Sequence, residues 1–351
     1  MIDFRYHLVS IVAVFLALAI GIVLGSTELQ GNTIDVLRSS QNSLKNQLSA
    51  VSAQRDSYKA LAGASDTFLR TAEQKLVTGM LPGDRIVIVT EPGAPSGIIS
   101  GIKQAAGLAG ASISGTVALQ PKFNDLSGAT QSSLSAINSQ LASSDAVTLA
   151  PATAAQTFYQ QQAAQLIAAA VVHKSASQTN QAGGLVASQA QLVLQEYAQA
   201  GYLTVSGTVT DPATLAVLVT PGTAPSDGSA DPANQVLLAV AQQFATASAG
   251  TLVTGSVIGS AEPGSAVSVL RGSGVSSEVS SVDNADTTLG QIVSMWALAD
   301  LLAGVKPNSY GISGASAVSP VPLPVPSVTS TPSVTPSQQP TGKVKKTVVK
   351  K

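Results

Sequence analysis

Residues 4–26 read FRYHLVSIVAVFLALAIGIVLGS, and a seven-residue hydrophobic repeat follows almost at once. No charged side chain stands between Leu8 and Gly25. That run matches the roughly 20 apolar residues a helix needs to cross about 30 Å of hydrocarbon. It predicts a membrane anchor over residues 1–27, with the rest of the chain on one side. One helix forms no pore and carries no solute, so this anchor limits function more than any later residue does. The rival reading is a cleavable secretory signal, with Val23, Leu24 and Gly25 ahead of a cut before Ser26. The run is longer than the roughly 7–15 residues of a signal core and its leading flank is weakly basic, which favours a retained span. Arg5 and the α-amino group lie on the short side, partly offset by Asp3. The positive-inside tendency then places the amino terminus in the cytoplasm and exports the bulk of the chain toward the periplasm or cell wall.

The next segment, 28–79, reads as a coiled-coil stalk. Ile34, Gln41, Leu48, Arg55, Ala62, Leu69 and Leu76 fall at a positions. Leu37, Leu44, Val51, Tyr58, Ser65 and Ala72 fall at d. About six heptads exceed the three or four that support such a reading, and a continuous helix here is roughly 65 Å long. The expected pairing contacts are Ile34, Leu37, Leu44, Leu48, Val51, Tyr58, Leu69 and Leu76. Polar Gln41, Arg55 and Ser65 weaken the seam while helping to set register or partner. In the anchor, Ala17, Gly21 and Gly25 recur every four residues, a small-residue face that lets two membrane helices approach. Asn32 is expected to cap the stalk, with Gly31 as a joint.

Composition changes at Leu81-Pro82-Gly83. Arg85–Thr90 is a short run rich in β-branched residues, then come a turn over 91–96, a helical pattern through Ile98, Ile99, Ile102 and Ala106, and a strand-like 112–119. This β–α–β unit is the signature of a parallel sheet. The rhythm goes on with helices near 128–142, 153–172, 185–199, 232–248 and 287–303, and strands near 145–149, 202–207, 215–220, 251–258 and 276–282. Residues 80–311 are thus expected to form one exported α/β domain with a mainly parallel sheet. Residues 312–351 are expected to be a disordered Pro/Ser/Thr-rich tail. Its basic end, Lys343 to Lys351, suits an anionic polymer or lipid surface.

Composition excludes several functions. Only 11% of residues are charged and the net charge is −1, so no field attracts nucleic acid. Aromatics are 4% of the chain, leaving few platforms for bases or sugars. There is no cysteine, which excludes disulfides, thiolate metal sites and cysteine nucleophiles. Ser100-Gly101-Ile102-Lys103 fits S-x-x-K without its companion motifs, so no catalytic residue is assigned. Glu91–Gly97 sits where doubly wound folds bind phosphates but lacks G-x-G-x-x-G, so no cofactor is assigned. His173 ends a helix beside Lys174, suited to the dipole rather than to a metal. Asp283, Asn284 and Asp286 form the densest polar cluster, a candidate surface site, with a helix cap as the plainer use of Asp286 or its neighbour.

The opening FRYHLVSIVAVFLALAIGIVLGS resembles the start of the actinobacterial MctB family, the copper transport outer membrane proteins. The likeness continues through the stalk, Val89–Gly93, Ser281–Asn284 and Tyr310-Gly311. It implies an actinobacterial envelope protein and, by the family label, a part in copper efflux or homeostasis. Through SteB-like members it also implies an SteA-like membrane partner and control of cell-wall hydrolases. Copper(I) prefers thiolate, thioether or imidazole donors, and this chain offers no Cys, two His and three Met. The residues therefore favour a non-enzymatic scaffold that pairs with itself or with a partner helix.

Overall fold

The computed structural model describes residues 4–145, 148–151, 155–174, 185–209, 211–224 and 231–321. The chain divides into two units, Met1–Thr67 and Phe68–Lys351. The described part of the first unit is a single helix, the leading portion of α1 (Phe4–Val77). Within it Arg5–Gly25 is long and apolar enough to cross a membrane, with a mean hydropathy of 2.9. The helix runs through Gly31 and Asn32 without a break, so the joint and fresh helix start expected there do not form. One interior glycine costs a helix only about 1 kcal/mol, which long helical flanks absorb.

The second unit is the α/β body. Its strands are β1 (Arg85–Thr90), β2 (Ser112–Leu119), β3 (Leu203–Gly207), β4 (Leu215–Val219), β5 (Gly250–Thr254), β6 (Ser280–Val282) and β7 (Ser309–Tyr310). Its helices after α1 are α2 (Ser96–Ala109), α3 (Gly128–Asp145), α4 (Phe158–Val171), α5 (Ala187–Gln199), α6 (Pro232–Ala247), α7 (Val257–Ala261), α8 (Ala266–Arg271) and α9 (Thr288–Leu302). The strands form one open sheet in the order β3-β2-β1-β4-β5-β6-β7. Only the β2–β3 pair is antiparallel among the described ladders. The expected mainly parallel sheet is therefore present.

The sheet is covered on both faces, which is why its strands read as near-continuous apolar runs. In β1, Val87 and Val89 point into a core shared with α3, α4, α5 and α6. Ile86 and Ile88 point into the opposite core, with α2, α9 and the end of α1. Leu69 and Leu76 pack on this second core, and Trp296 Nε1 donates to Leu76 O at 2.9 Å. These two leucines, which the heptad reading assigns to pairing, thus pack against their own body, because the end of α1 lies on the apolar face that also receives Ile98, Ile102, Ile292 and Trp296.

Three further expectations are corrected. No strand forms at 148–149; Gln162 and Gln165 of α4 instead bind the backbone of Thr148 and Ala150, replacing a sheet neighbour with side-chain amides. The strand expected over 251–258 stops at Thr254, because Ser256 accepts from Gly259 N at 2.9 Å and starts α7. The body does not end at 311: Tyr310 bridges Ala317, and the Ile312 and Ser313 amides are bound by Asp283. The basic residues Lys343 to Lys351 lie outside the described residues.

Candidate functional site

Chain order sets the first place to look. After β1 the chain moves outward to β2 and β3, then returns to lay β4 on the other flank of β1. Open α/β sheets bind ligands at the carboxyl ends of such a strand pair. Here two Pro-Gly turns meet. Gly222 N, after β4, donates to Gly93 O, after β1, at 3.2 Å. A methyl group on Gly222 would press on Pro95 at 3.0 Å, and one on Gly259 of α7 would strike Gly222 O at 2.7 Å. Gly93 also holds a φ of 85°, which favours glycine. The turn expected over 91–97 is therefore closed against its neighbours.

Glu91 sits at this closure. It is 6% exposed and its Oε1 has no hydrogen-bond partner among the described residues. Burial, and secondarily the charge of Asp231, pushes its carboxyl up to about 8. Asp231 itself caps α6, accepting from Ala233 N at 2.8 Å. The sequence gives one usable signal for Glu91: a lone acid directly after a run of apolar strand residues.

The 283–286 cluster does not form one surface site. Asp283 is fully buried and pairs with Arg271 at 2.9 Å. Asn284 is 2% exposed. Only Asp286 is exposed, and it accepts from Val257 N at 2.9 Å. The cap of α9 is its neighbour Thr287, which accepts from Gly290 N at 3.1 Å. Asp283 cannot serve a cation because Arg271 already neutralises it. Arg271 is the sequence's sole arginine beyond Arg85.

On α1, Leu37, Leu44, Leu48, Val51 and Tyr58 are each 62–68% exposed. They form one exposed stripe at heptad spacing along the helix. The side chain of Ile34 lies outside the described residues. Ala17, Gly21 and Gly25 are exposed on the apolar span, and no atom comes within 4 Å of a methyl group built on Gly21 or Gly25. His173 is half-buried at the end of α4, its imidazole pKa lowered chiefly by burial. Among the described residues no group of three or more His, Cys, Asp or Glu could hold a metal ion.

Fold and geometry thus define an α/β protein led by one membrane-length apolar helix. The chain belongs to the family described as "Copper transport outer membrane protein, MctB", whose model matches residues 1–322. It is 31% identical over 320 residues to the Copper transporter MctB of Mycobacterium tuberculosis, covering 89% of this chain and 96% of that relative. It is 28% identical over 321 residues to the Copper transporter MctB of Mycobacterium leprae, covering 91% and 99%. The match reaches past Tyr310, in keeping with a body that includes the segment bound by Asp283.

Proposed function

We propose that this chain is a non-enzymatic, single-pass envelope protein with its amino terminus inside and its body exported. It acts as a coiled-coil scaffold that holds or restrains a membrane or cell-wall partner. The observation that carries this is the stripe Leu37, Leu44, Leu48, Val51 and Tyr58, exposed on a helix that begins with a membrane span. Covering apolar surface is worth about 25 cal/mol per Å², so five large side chains at heptad spacing drive pairing with another helix. A second copy is the favoured partner, because two spans could also meet along Ala17, Gly21 and Gly25. An SteA-like membrane protein and control of cell-wall hydrolases are the family-derived version of the same role, and the Lys343 to Lys351 end suits an anionic wall polymer.

The chain contains no cysteine, so a single Val51→Cys reports pairing cleanly by disulfide crosslinking in native membranes. We expect a crosslinked dimer, and its loss by about tenfold or more when Leu44→Asp and Leu48→Asp are added, since a buried unpaired charge is costly. Unchanged crosslinking in that variant refutes the scaffold.

The relatives' names support a second reading, copper efflux or homeostasis. Copper donors argue that any such role is indirect. The sequence has no Cys, two His and three Met, whereas copper(I) prefers soft sulfur and imidazole ligands. The described sheet is open and mostly parallel, unlike the closed antiparallel barrels of outer membranes. Titration of the purified chain with copper(I) should show no micromolar site. A stoichiometric site at that affinity would establish direct handling.

A further inference from the structure

Below Tyr58 the heptad of the stalk changes its use. The large a residues there are Leu69 and Leu76, and both pack on the second core of their own body. The d residues are Ser65 and Ala72, too small to carry a seam. The large exposed side chains on this part of α1 are instead Leu61 and Phe68, 65% and 71% exposed. They lie one heptad apart, three and ten residues after Tyr58. Tyr58, Leu61, Ser65, Phe68 and Ala72 thus repeat in steps of three and four, the spacing of a coiled-coil seam.

In the frame of the upper stalk Leu61 and Phe68 are g residues. In the lower frame they take the d positions, and Tyr58 and Ser65 take the a positions. Such a slip of three residues is a stammer, which a coiled coil absorbs by local overwinding. It falls at Arg55. As an a residue in a parallel self-pair, Arg55 would meet its own cation near the axis, a costly juxtaposition. In the lower frame it moves to a flank, and its guanidinium pairs with Asp56 at 2.8 Å.

The lower face fits a second copy. In a parallel pair each residue stands beside its own copy, so a charge on the seam would meet itself. From Ser57 to Ala72 the charged residues are Lys59, Asp66 and Arg70. The lower frame puts all three at b and f, which point away from the partner. Ala62 and Ala64 flank the seam and allow close approach. Length gives a second reason. Leu37 to Tyr58 covers about three heptads, the least that sustains a coiled coil, and Leu61 to Ala72 brings the seam to about five.

We propose that two copies pair past Tyr58 along this slipped seam, Leu61 beside Leu61 and Phe68 beside Phe68. The end of α1 then serves two surfaces at once: Phe68 meets the second copy while Leu69 and Leu76 hold the chain's own body. The inference rests on the scaffold reading for pairing itself, and adds where the interface runs.

Single cysteines in this cysteine-free chain test it by disulfide crosslinking in native membranes. Leu61, Ala62, Phe68 and Ala60 are all exposed in the single chain, so each tolerates the replacement. Leu61→Cys and Phe68→Cys should dimerise as readily as Val51→Cys, and about tenfold or more faster than Ala60→Cys, which points outward in both frames. Leu61→Cys should also outrun Ala62→Cys, an a residue if the upper frame continues and a flank residue if it slips. An adduct of twice the chain's mass identifies the second copy; an adduct of any other mass at Leu61 or Phe68 overturns the proposal. Ala62→Cys outrunning Leu61→Cys overturns it too. So does slow crosslinking at both Leu61 and Phe68 while Val51→Cys still dimerises, a result that leaves the scaffold reading standing. Failure at Val51→Cys as well removes both.

Discussion

Asp283→Ala is expected to destabilise the body by about 3–5 kcal/mol, the usual result of stripping one partner from a buried ion pair. The Asp283 carboxylate is fully buried, and the Arg271 side chain is 10% exposed. The guanidinium donates to Asp283 at 2.9 Å, to Ser281 Oγ at 2.9 Å, to Tyr310 O at 2.8 Å and to Ser313 O. The carboxylate also accepts from Ile312 N at 2.8 Å and Ser313 N at 2.7 Å. One ion pair therefore straps residues 309–313 onto β6 and α8. Removing the carboxylate leaves a cation without compensation in a place water hardly reaches. Arg271→Met should cost a comparable amount by stranding the anion instead. The double variant Arg271→Met/Asp283→Leu should be less damaged than the sum of its singles, because no charge is left buried. Gly311→Ala should fail in the same way. Its φ is 129°, and its new methyl group would overlap the Asp283 carboxylate. Urea unfolding followed through Trp296, the only tryptophan in the chain, reads all four. Single-variant losses below about 1 kcal/mol, well short of the cost of a stranded buried charge, would show that the pair does not hold the strap.

Hydrophobic period carried most of the architecture. Ile86 to Val89, Leu215 to Val219 and Pro232 to Ala247 announce their elements because a doubly covered parallel strand and a one-sided helix have distinct apolar rhythms. What escaped depends on polar partners remote in sequence. The segment after α3 looks like a strand, but Gln162 and Gln165 take up its backbone groups. Asp283 and Asn284 look like surface residues because local sequence does not reveal Arg271, twelve residues earlier, folding back from α8. Leu69 and Leu76 obey the same heptad as Leu48, and periodicity alone cannot separate a face that meets another chain from one that meets its own sheet. The closed turn around Gly93 and Gly222 was half legible: each Pro-Gly pair marks a turn, while their contact depends on the β1–β4 pairing.

Glu91 makes the second large prediction, because its proton is tied to folding. Its carboxyl is pushed up to about 8, first by burial at the end of β1 and then by the charge of Asp231. In the unfolded chain the same group titrates near its ordinary value of 4.5. Between these two pH values the native state holds a proton that the unfolded state has released. The associated stability is thus complete below about pH 4.5, falls as pH rises toward about 8, and is flat above. The expected slope from this group is about 1.4 kcal/mol per pH unit. Glu91→Gln keeps the shape and cannot ionise, so it should flatten that slope and exceed the native chain in stability at and above pH 8. Subtracting the two profiles cancels groups common to both, including Asp84 and Asp300, whose carboxyls burial also raises. Urea midpoints taken from pH 5 to 9 decide it. If the two chains run parallel across that range, Glu91 is ionised in the folded protein, and the closure between the two Pro-Gly turns admits water or a counter-charge.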